Sequence, residues 1–363
     1  MLDNDSRDFL FDLLSTPSPT GFEVEGQRKW AQYVGSFADA VDNDAYGTAW
    51  ATLNGKKPKS GKTFTLMLEA HADEIGYMVK HITDEGFLRV NQIGGSDYAT
   101  ARGRRLSILG DKGAVLGIVG NTAIHIRDRS GEEKAPKIHE LYVDVGASSA
   151  KEVAKLGIRI GHPAVYSDSV ELFGNNRLVG RALDNRIGGF IIARVMANLS
   201  ESKKKPNVNV VAVNAVQEEI GGYGAKMATY RLQPDLAVCL DVTHATDTPS
   251  IDHAIHGEIT LGDGPTVTHG CCNHPKVIER MMQVAKKAKI PLQHESSSSY
   301  SGTDTDTIYH QRTGTPSGLV SLPLRYMHSV VETVDLTDVQ QTIDLLTAFA
   351  LSVNSADSFG VKL

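Results

Sequence analysis

Both ends of the chain combine helical periodicity with long apolar runs. Apolar positions in residues 6–14 recur at helical spacing and predict a first helix that ends before Pro17. Thr20, followed three residues later by Glu23, predicts the capping box of a second helix. Residues 336–353 show the same periodicity and predict a helix at the end of the chain.

Between these helices lie four apolar runs of the kind that form buried strands. They span residues 63–68, 208–216, 236–240 and 318–322, and the second is rich in valine. Residues 185–199 have helical periodicity with small side chains and predict another helix. Strands and helices in this arrangement are typical of an α/β domain, so we predict one such domain built from both ends of the chain.

Residues 75–167 have a different pattern, in which short strand-like runs are separated by glycines and charged turns. The predicted strands are 76–79, 87–90, 105–109, 114–119, 141–145 and 164–167. Only residues 150–156 suggest a helix. Many short strands at close spacing favour a small β-barrel or sandwich. We therefore divide the chain into a discontinuous domain of residues 1–74 and 168–363 and an inserted β-rich domain of residues 75–167.

The composition is that of an ordinary globular protein and excludes several classes of partner. The length of 363 residues favours two domains, and the net charge of -6 gives no electrostatic reason to bind nucleic acid or an anionic membrane. No run approaches the roughly 20 apolar residues of a membrane span, and the acidic N-terminus does not resemble a secretion signal. Three cysteines are too few for a disulfide framework, so we expect a reducing compartment and a cytoplasmic protein.

Side chains able to bind a metal ion lie at the ends of the apolar runs or at the start of a helix: His71, Asp184, Glu219, Asp241 and His328. Two further carboxylates, Asp73 and Glu218, lie beside them. Imidazole and carboxylate ligands without thiolates, next to a carboxylate that can act as a base, favour hydrolysis over a structural zinc site. Because ligands of open α/β sheets gather at the carboxyl ends of strands, we expect these side chains to converge on a centre for two divalent ions.

Two of these signals are ambiguous when taken alone. His71 and Asp73 are two residues apart, and strand alternation would place them on the same side, where the carboxylate could orient a metal-binding imidazole. A histidine at an exposed strand end would give the same pattern. Asp184 precedes the predicted helix 185–199, and aspartate is also a preferred helix N-cap.

Glu218 and Glu219 give the strongest single indication. They follow the valine-rich run, where two adjacent carboxylates repel each other and are costly to desolvate unless a cation is nearby. If both continue the strand, they point to opposite faces, so one can bind a metal ion while the other faces the attacking water. Asp241 and His328 each follow an apolar strand, and each is ambiguous by itself.

Other chemistries find little support in the sequence. It contains no G-x-S-x-G elbow, no Walker loop and no dinucleotide fingerprint. Cys239 lies inside an apolar run and is expected to belong to the core. The two carboxyl groups of a glycosidase lie about 5 to 9.5 Å apart across the bond that they cleave, and adjacent strand residues that face opposite ways fit this poorly.

At these positions the chain resembles the M42 family of metallo-aminopeptidases, in the order and spacing of its motifs. The matching segments are EAHADEIGYMV at 69–79, GRALDNRIGG at 180–189, VQEEIGGYGA at 216–225, DVTHATDTP at 241–249 and the long segment 302–339. The inserted region matches in pieces such as YVDVGASS at 142–149. The family often has Asp where this chain has Asn185 and Asn where it has Thr48, and neither departure affects a predicted ligand.

The resemblance implies a central mixed sheet flanked by helices, as in zinc-peptidase catalytic domains, with an inserted small β-barrel-like domain that forms dimers. It assigns the metal ligands in three groups: His71 with Asp241 for one ion, Glu219 with His328 for the other, and Asp184 as the bridge. Glu218 would be the general base, and Asp73 would orient His71. Because members of the family form tetrahedral dodecamers, the resemblance also implies a homo-oligomer, a dodecamer built from dimers.

We therefore expect an aminopeptidase that removes N-terminal residues from peptides with two divalent ions, zinc by default and cobalt or manganese as alternatives. Glu218 would take a proton from the attacking water and pass it to the leaving amine. A related dinuclear enzyme that hydrolyses N-acyl amino acids or other small amides is one alternative, and a non-catalytic protein that has kept the fold is another. The preferred N-terminal residue of the substrate does not follow from the sequence.

Overall fold

The structure is a computed structural model that describes residues 3–56, 63–127, 135–361 and 363. Its helices are α1 (Asn4–Ser15), α2 (Val24–Gly35), α3 (Ala150–Lys155), α4 (Leu183–Glu201), α5 (Tyr223–Leu232), α6 (His253–His256), α7 (Pro275–Ala288), α8 (Thr305–Ile308) and α9 (Leu336–Ser352). The first strands are β1 (Ala40–Asn43), β2 (Ala49–Leu53), β3 (Thr65–His71), β4 (Gly76–Ile82), β5 (Phe87–Ile93), β6 (Arg105–Gly110), β7 (Gly113–Val119), β8 (Val143–Asp144) and β9 (Pro163–Tyr166). They are followed by β10 (Glu171–Phe173), β11 (Arg177–Gly180), β12 (Asn209–Ala215), β13 (Leu236–His244), β14 (Thr266–Gly270), β15 (Gln293–Ser297), β16 (Ser317–Leu324) and β17 (Glu332–Asp335).

Eight of the described strands form one mixed sheet in the order β1-β2-β12-β3-β13-β16-β14-β15. The central strands β12, β3, β13 and β16 run parallel to one another, and β2 and β14 flank them in the antiparallel direction. The carboxyl ends of four parallel strands therefore meet at one edge of the sheet. The predicted α/β domain with a central mixed sheet is confirmed.

Helices cover both faces of this sheet because its central strands are apolar on both sides. Along β3, Leu66 and Leu68 pack in the large core with α1, α2, α4, α7 and α9, whereas Met67 packs on the opposite face with α5 and α8. Within the described residues, no helix is both long and apolar enough to cross a bilayer.

The short strands between Gly76 and Tyr166 close into a barrel in the order β4-β5-β8-β7-β6-β9. Alternate residues of each strand, such as Tyr77 and Val79 on β4, fill a core that is separate from that of the large sheet. The predicted β-barrel is confirmed. The division of the chain into domains at residues 75 and 167 stays a prediction. A small sheet, β10-β11-β17, completes the described strands.

Candidate metal centre

The edge where the parallel strands end also holds the predicted ligands. His71 is the last residue of β3, Glu219 follows β12, His328 follows β16, and Asp184 lies in the first turn of α4. Asp241 lies inside its strand, because β13 continues to His244. The prediction that Asp241 ends its strand is therefore wrong, although its side chain joins the others.

Asp184 lies between the two imidazoles. Its Oδ1 is 3.2 Å from Nε2 of His71, and its Oδ2 is 3.2 Å from Nε2 of His328. Oδ1 of Asp241 lies 3.7 Å from Nε2 of His71, and Oε2 of Glu219 lies 3.6 Å from Nε2 of His328. Two clusters of donor atoms thus share Asp184, a third joins His71 to Glu218 and Glu219, and within each cluster the atoms lie within 4.8 Å of one another.

Glu218 and Glu219 approach different imidazoles, but strand alternation is not the reason. Both follow the end of β12 at Ala215 and lie in a turn that begins with Gln217 in the left-handed region, at a φ of 61°. The turn directs Oε2 of Glu218 to a point 3.8 Å from Nε2 of His71, while Glu219 approaches His328. The two carboxylates nevertheless offer oxygens that lie within 4.8 Å of each other and of a ring nitrogen of His71, so the expectation that strand alternation would direct them to opposite faces was wrong.

Asp73 holds this turn in place. Its Oδ1 accepts a hydrogen bond of 3.0 Å from the backbone N–H of Glu218, and its Oδ2 accepts one of 3.2 Å from that of Glu219. Oδ1 also lies 3.4 Å from Nδ1 of His71, and the same ring nitrogen lies 3.2 Å from the carbonyl oxygen of Asp73. The residue predicted to orient His71 therefore also positions the two glutamates.

Thr20 belongs to this site and not to a helix cap, so the predicted capping box is wrong. Helix α2 begins after Glu23, and among the described residues no side chain caps its first turn. The hydroxyl of Thr20 donates to Oδ2 of Asp73 at 2.8 Å, and Glu23 accepts from the backbone N–H of Gly21 at 2.7 Å. The Thr20 hydroxyl thus forms a hydrogen bond with a distant segment in place of the predicted local helix cap.

Glu332 plays a corresponding role on the other side and was missed in the sequence. Its Oε1 accepts from the backbone N–H of His328 at 2.8 Å, and its Oε2 accepts from that of Asp184 at 3.1 Å. Burial, with the negative charge of Asp184 as the next contribution, raises the pKa of Glu332 well above its usual range. In the sequence Glu332 is an acid four residues after His328, directly after Val330 and Val331.

A buried ion network connects the segments that carry Asp73 and Asp184. Glu74 pairs with Arg181 through Nη1 and lies 3.5 Å from Nη1 of Arg186. Arg181 and Arg186 also donate to backbone carbonyls at the end of α1. Removing one partner of a buried ion pair costs about 3–5 kcal/mol because it leaves a charge without compensation. This network therefore fixes the end of β3 against the start of α4.

Asp184 is not a helix cap, contrary to the simplest interpretation of its position. Its neighbour Asn185 supplies the capping contact, because Oδ1 of Asn185 accepts from the backbone N–H of Gly188 at 3.2 Å. The Asn185 amide also donates to the carbonyl of Leu240 on β13 at 2.6 Å. The cap thus lies one residue further along, and the Asp184 carboxylate stays directed at the two imidazoles.

The imidazoles and Asp184 favour their charged forms together. Burial opposes protonation of His71, but hydrogen bonds to Asp184 and Asp73 raise its pKa well above the usual value. The hydrogen bond to Asp184 raises the pKa of His328 as well. For Asp184 itself, burial acts in the opposite direction, and the two imidazoles outweigh it and lower its pKa.

The remaining carboxylates are crowded in a buried environment. Burial, followed by repulsion from Asp184, raises the pKa of Glu219 well above its usual range. Burial is also the largest cause of the raised pKa values of Glu218 and Asp241. Oε1 of Glu219 is buried without a hydrogen-bond partner among the described residues. Crowded acids and an unpartnered oxygen are suited to hold a cation, and oxygen and imidazole donors are common ligands of divalent ions.

A cavity of about 420 Å³ opens over these side chains. Glu218, Glu219, Asp184, Asp241 and His328 form its floor. Its walls come from the end of β13, from residues 301–303 and from Met327. The cavity can therefore hold a ligand in contact with both imidazole clusters.

Comparisons with known proteins agree with this geometry. The family model described as M42 glutamyl aminopeptidase matches residues 50–345. The lysyl aminopeptidase of Pyrococcus furiosus is 34% identical over 95% of this chain and 96% of its own length. The aminopeptidase APDkam598 of Desulfurococcus kamchatkensis superposes with a TM-score of 0.89 at 34% identity, over 96% of this chain and 95% of its own. The TET1 peptidase of Pyrococcus horikoshii, which can assemble into a tetrahedron or a large octahedral shell, superposes with a TM-score of 0.84 at 26% identity, over 96% of this chain and 100% of its own.

Proposed function

Because the chain belongs to the M42 family of aminopeptidases, we propose that it removes N-terminal residues from peptides with two divalent metal ions. The observation that carries this proposal is the position of Asp184, which presents one carboxylate oxygen to each imidazole at 3.2 Å. A carboxylate shared in this way is the arrangement that a pair of adjacent ions requires.

The side chains divide between the two ions as their distances suggest. His71 and Asp241 would hold one ion, Glu219 and His328 would hold the other, and Asp184 would bridge them. When bound, the ions supply the Lewis acidity that activates a water molecule and polarises the scissile carbonyl. Zinc is our first choice, with cobalt or manganese as alternatives, because imidazole and carboxylate donors suit all three.

Glu218 is the general base in this mechanism. Its carboxylate lines the cavity beside His71, and burial raises its pKa, which suits a group that must first take up a proton and then release it. Glu218 would accept the proton of the attacking water and deliver it to the amine of the departing peptide. Asp73 fixes the backbone of Glu218 through the hydrogen bond of 3.0 Å and so sets the position of the base.

Replacing the base tests this mechanism. Glu218→Gln keeps the shape of the side chain but cannot accept the proton, so we expect kcat on aminoacyl anilides to fall by about 10²- to 10⁴-fold with the metal content unchanged. Glu85→Gln, on the exposed surface, is the matched control and should retain full activity. Near-normal turnover by Glu218→Gln, or full activity of the metal-free protein, would rule the mechanism out.

The substrate end that is recognised can be tested separately. An aminopeptidase requires a free N-terminal amine, whereas the alternative deacylase acts on N-acyl amino acids. We expect an aminoacyl anilide to be hydrolysed and its N-acetylated form to resist hydrolysis. The opposite preference would favour the alternative.

We also propose that residues 75–167 form a domain through which copies of the chain associate. Support comes from the barrel surface, where Leu116, Ile118, Ile124 and Ile126 are all about half exposed or more. Several exposed large apolar side chains in one region are typical of interfaces. We expect light scattering to show an oligomer, a dodecamer built from dimers. The double variant Leu116→Glu with Ile118→Glu should dissociate it, and the control variant Ile255→Glu, at another exposed position, should leave it intact. A monomeric unmodified protein would contradict this proposal.

The three free cysteines support our placement of the protein in a reducing compartment, the cytoplasm.

A further inference from the structure

The walls of the cavity, unlike the predicted metal ligands, bear on which first residue of a peptide the site prefers. We propose that this chain prefers peptides whose first residue is uncharged, and that this preference depends on the threonine hydroxyls that pair with Glu295. The inference rests on the proposed aminopeptidase function and deepens it. It matters because the related proteins differ in the substrate they are named for, lysyl in one relative and glutamyl in the family description.

The walls of the cavity are neutral or weakly basic. Beyond the floor formed by the predicted metal ligands and Glu218, the lining residues are Gly95, Val242, Thr243, His244, Ser301, Gly302, Thr303 and Met327. Among the described lining residues, none is a lysine or an arginine, and the only acids are those of the floor. Among the wall residues that the structure describes, a glutamate side chain of a substrate would therefore find no lysine or arginine, and a lysine side chain would find no carboxylate.

Two charged residues close to the walls along the chain have partners, and a third, Asp304, is 1% exposed, has no hydrogen-bond partner among the described residues and does not line the cavity. Arg325, near Met327 in sequence, binds Asp247 through Nε and Nη2 at 2.7 and 2.6 Å. Asp306 accepts from the backbone N–H groups of Ser301 and Gly302 at distances between 2.8 and 3.0 Å and from the Ser301 hydroxyl at 2.9 Å. These contacts shape the wall at residues 301–303 and leave little charge for a substrate.

Glu295 contacts a wall residue and is the acid that could most readily bind a positively charged substrate side chain. Its Oε2 accepts from the hydroxyl of Thr243, a wall residue, at 2.6 Å. Its Oε1 accepts from the hydroxyl of Thr268. Each carboxylate oxygen thus has a side-chain donor, and Glu295 is not among the described residues that line the cavity. Thr243 therefore supplies a donor to a carboxylate oxygen that could otherwise accept from the ammonium group of a substrate.

The consequence for selectivity follows from desolvation. A charged side chain that enters a cavity without a counter-charge loses its hydration and gains no ion pair, whereas an uncharged one packs against Met327 and Val242. Substrate pairs that differ in charge and little in shape isolate this effect. Norleucine has the carbon chain of lysine without the ammonium group, and glutamine has the shape of glutamate.

The first experiment measures kcat/KM for anilides of these four amino acids at pH 8, above the usual titration range of histidine. We expect norleucine to exceed lysine, and glutamine to exceed glutamate, by at least about tenfold in each pair. A lysine or glutamate anilide that matches or exceeds its neutral partner overturns the proposed preference while leaving the aminopeptidase function intact. Hydrolysis of none of the four would instead count against the proposed function itself.

The second experiment tests the role of Thr243. Thr243→Val keeps the shape of the side chain but removes the donor to Oε2 of Glu295, so the lysine-to-norleucine ratio should rise by about tenfold. Thr243→Ser keeps a hydroxyl and should leave the ratio unchanged. Adding Glu295→Gln to Thr243→Val should return the ratio to its original value, because the exposed charge is then absent.

An equilibrium measurement separates recognition from chemistry. The affinities of lysine amide and norleucine amide, measured by calorimetry, should shift in Thr243→Val in the same direction as the kinetic ratio. If Thr243→Val is folded by circular dichroism and neither its kinetic ratio nor its affinity ratio changes, Glu295 does not control selectivity and the proposal is wrong.

Discussion

The two halves of the candidate metal centre share Asp184 and differ in how deeply they are buried. The side chain of His71 is 2% exposed, whereas that of His328 is 31% exposed. His71 ends a central parallel strand, and His328 lies in a loop after β16 with its backbone in the left-handed region, at a φ of 61°. A non-glycine residue in that region costs about 1–3 kcal/mol unless the surrounding contacts hold it there.

The contacts that hold each half also come from different parts of the molecule. Asp73, just beyond β3, lies beside His71 and the backbone of Glu218, and it also holds the backbone of Glu219 in the other half. The half that contains His328 relies on Glu332 for its backbone and on the carbonyl of Gly95, 3.1 Å from Nδ1, for its ring. Gly95 follows strand β5 of the barrel.

This difference suggests that the sheet positions one half of the site and that loops position the other. The half around His71 is completed by the parallel strands and by residues adjacent to them, so it is formed wherever the sheet is formed. The half around His328 requires a strained loop and a segment of the inserted region to be in place at the same time. We therefore expect the ion held by His71 and Asp241 to be bound more tightly than the one held by His328 and Glu219.

The largest effect should come from removing the carboxylates that support the two halves. Asp73→Asn and Glu332→Gln keep the shape of the side chains, but each replaces one acceptor oxygen by an amide that cannot accept from a backbone N–H. Such residues behind a metal ligand contribute about 10- to 100-fold in affinity. We expect zinc affinity to fall by about 100-fold in Asp73→Asn and about 10-fold in Glu332→Gln, measured by competition with a chromophoric chelator.

The ranking follows from the number of groups that each carboxylate serves. Asp73 contacts both glutamates and lies 3.4 Å from the His71 ring, so its loss disturbs the base as well as the ligands. Glu85→Gln is again the control and should bind zinc normally. Equal losses in the two variants, or a larger loss in Glu332→Gln, would show that the two halves do not differ in the way we describe.

A smaller and more selective effect should come from Gly95→Ala. A methyl group at this position would lie 2.6 Å from Nδ1 and 2.7 Å from Cε1 of His328, so the ring must move. We expect the second zinc equivalent to bind about tenfold more weakly and the first to bind as before, measured by zinc titration of the metal-free protein.

The control for this variant is Gly35→Ala in helix α2, where the new methyl group meets only Cγ2 of Val41 at 3.6 Å. It should leave both binding steps unchanged. If Gly95→Ala weakens both zinc equivalents equally, the halves are coupled through Asp184 more strongly than their separate supports suggest.

The sequence was sufficient for the parts of the site that depend on local pattern. The valine-rich run and the apolar runs before His71 and His328 predicted the buried strands, because strands covered on both faces leave a continuous apolar signal. The rule that ligands gather at the carboxyl ends of such strands then predicted where the side chains lie. The alternation of short runs and turns likewise predicted the barrel.

The parts that sequence reasoning missed depend on contacts between distant segments. The capping-box pattern at Thr20 is real in the sequence, but the hydroxyl serves Asp73, 53 residues away along the chain. Nothing local distinguishes Glu332 from an ordinary acid at a strand start, because its role exists only when β17 lies beside α4. Among the described helices, α5, α6, α7 and α8 went unpredicted, and α5, α7 and α8 pack against the sheet.

The smallest of the expected effects concerns Thr20 and tests whether its hydrogen bond supports the buried half. Thr20 is 5% exposed, and its hydroxyl donates to Oδ2 of Asp73 at 2.8 Å, the oxygen that also accepts from the backbone of Glu219. Thr20→Val keeps the shape and removes the donor, so the metal-free protein should lose about 1 kcal/mol in the free energy of unfolding by urea. Thr20→Ser keeps the donor and should lose less.

Zinc affinity in Thr20→Val should fall only about two- to threefold, because Asp73 keeps both backbone donors and its position beside His71. Stability must be measured without metal, since a ligand that binds only the folded state would otherwise add its own binding free energy to the result. A loss of zinc affinity as large as that of Asp73→Asn would mean that Thr20, and not the backbone of the glutamate turn, determines the position of Asp73. The tighter zinc binding of the buried half would then depend on the segment before α2, and our attribution of it to the sheet edge would be wrong.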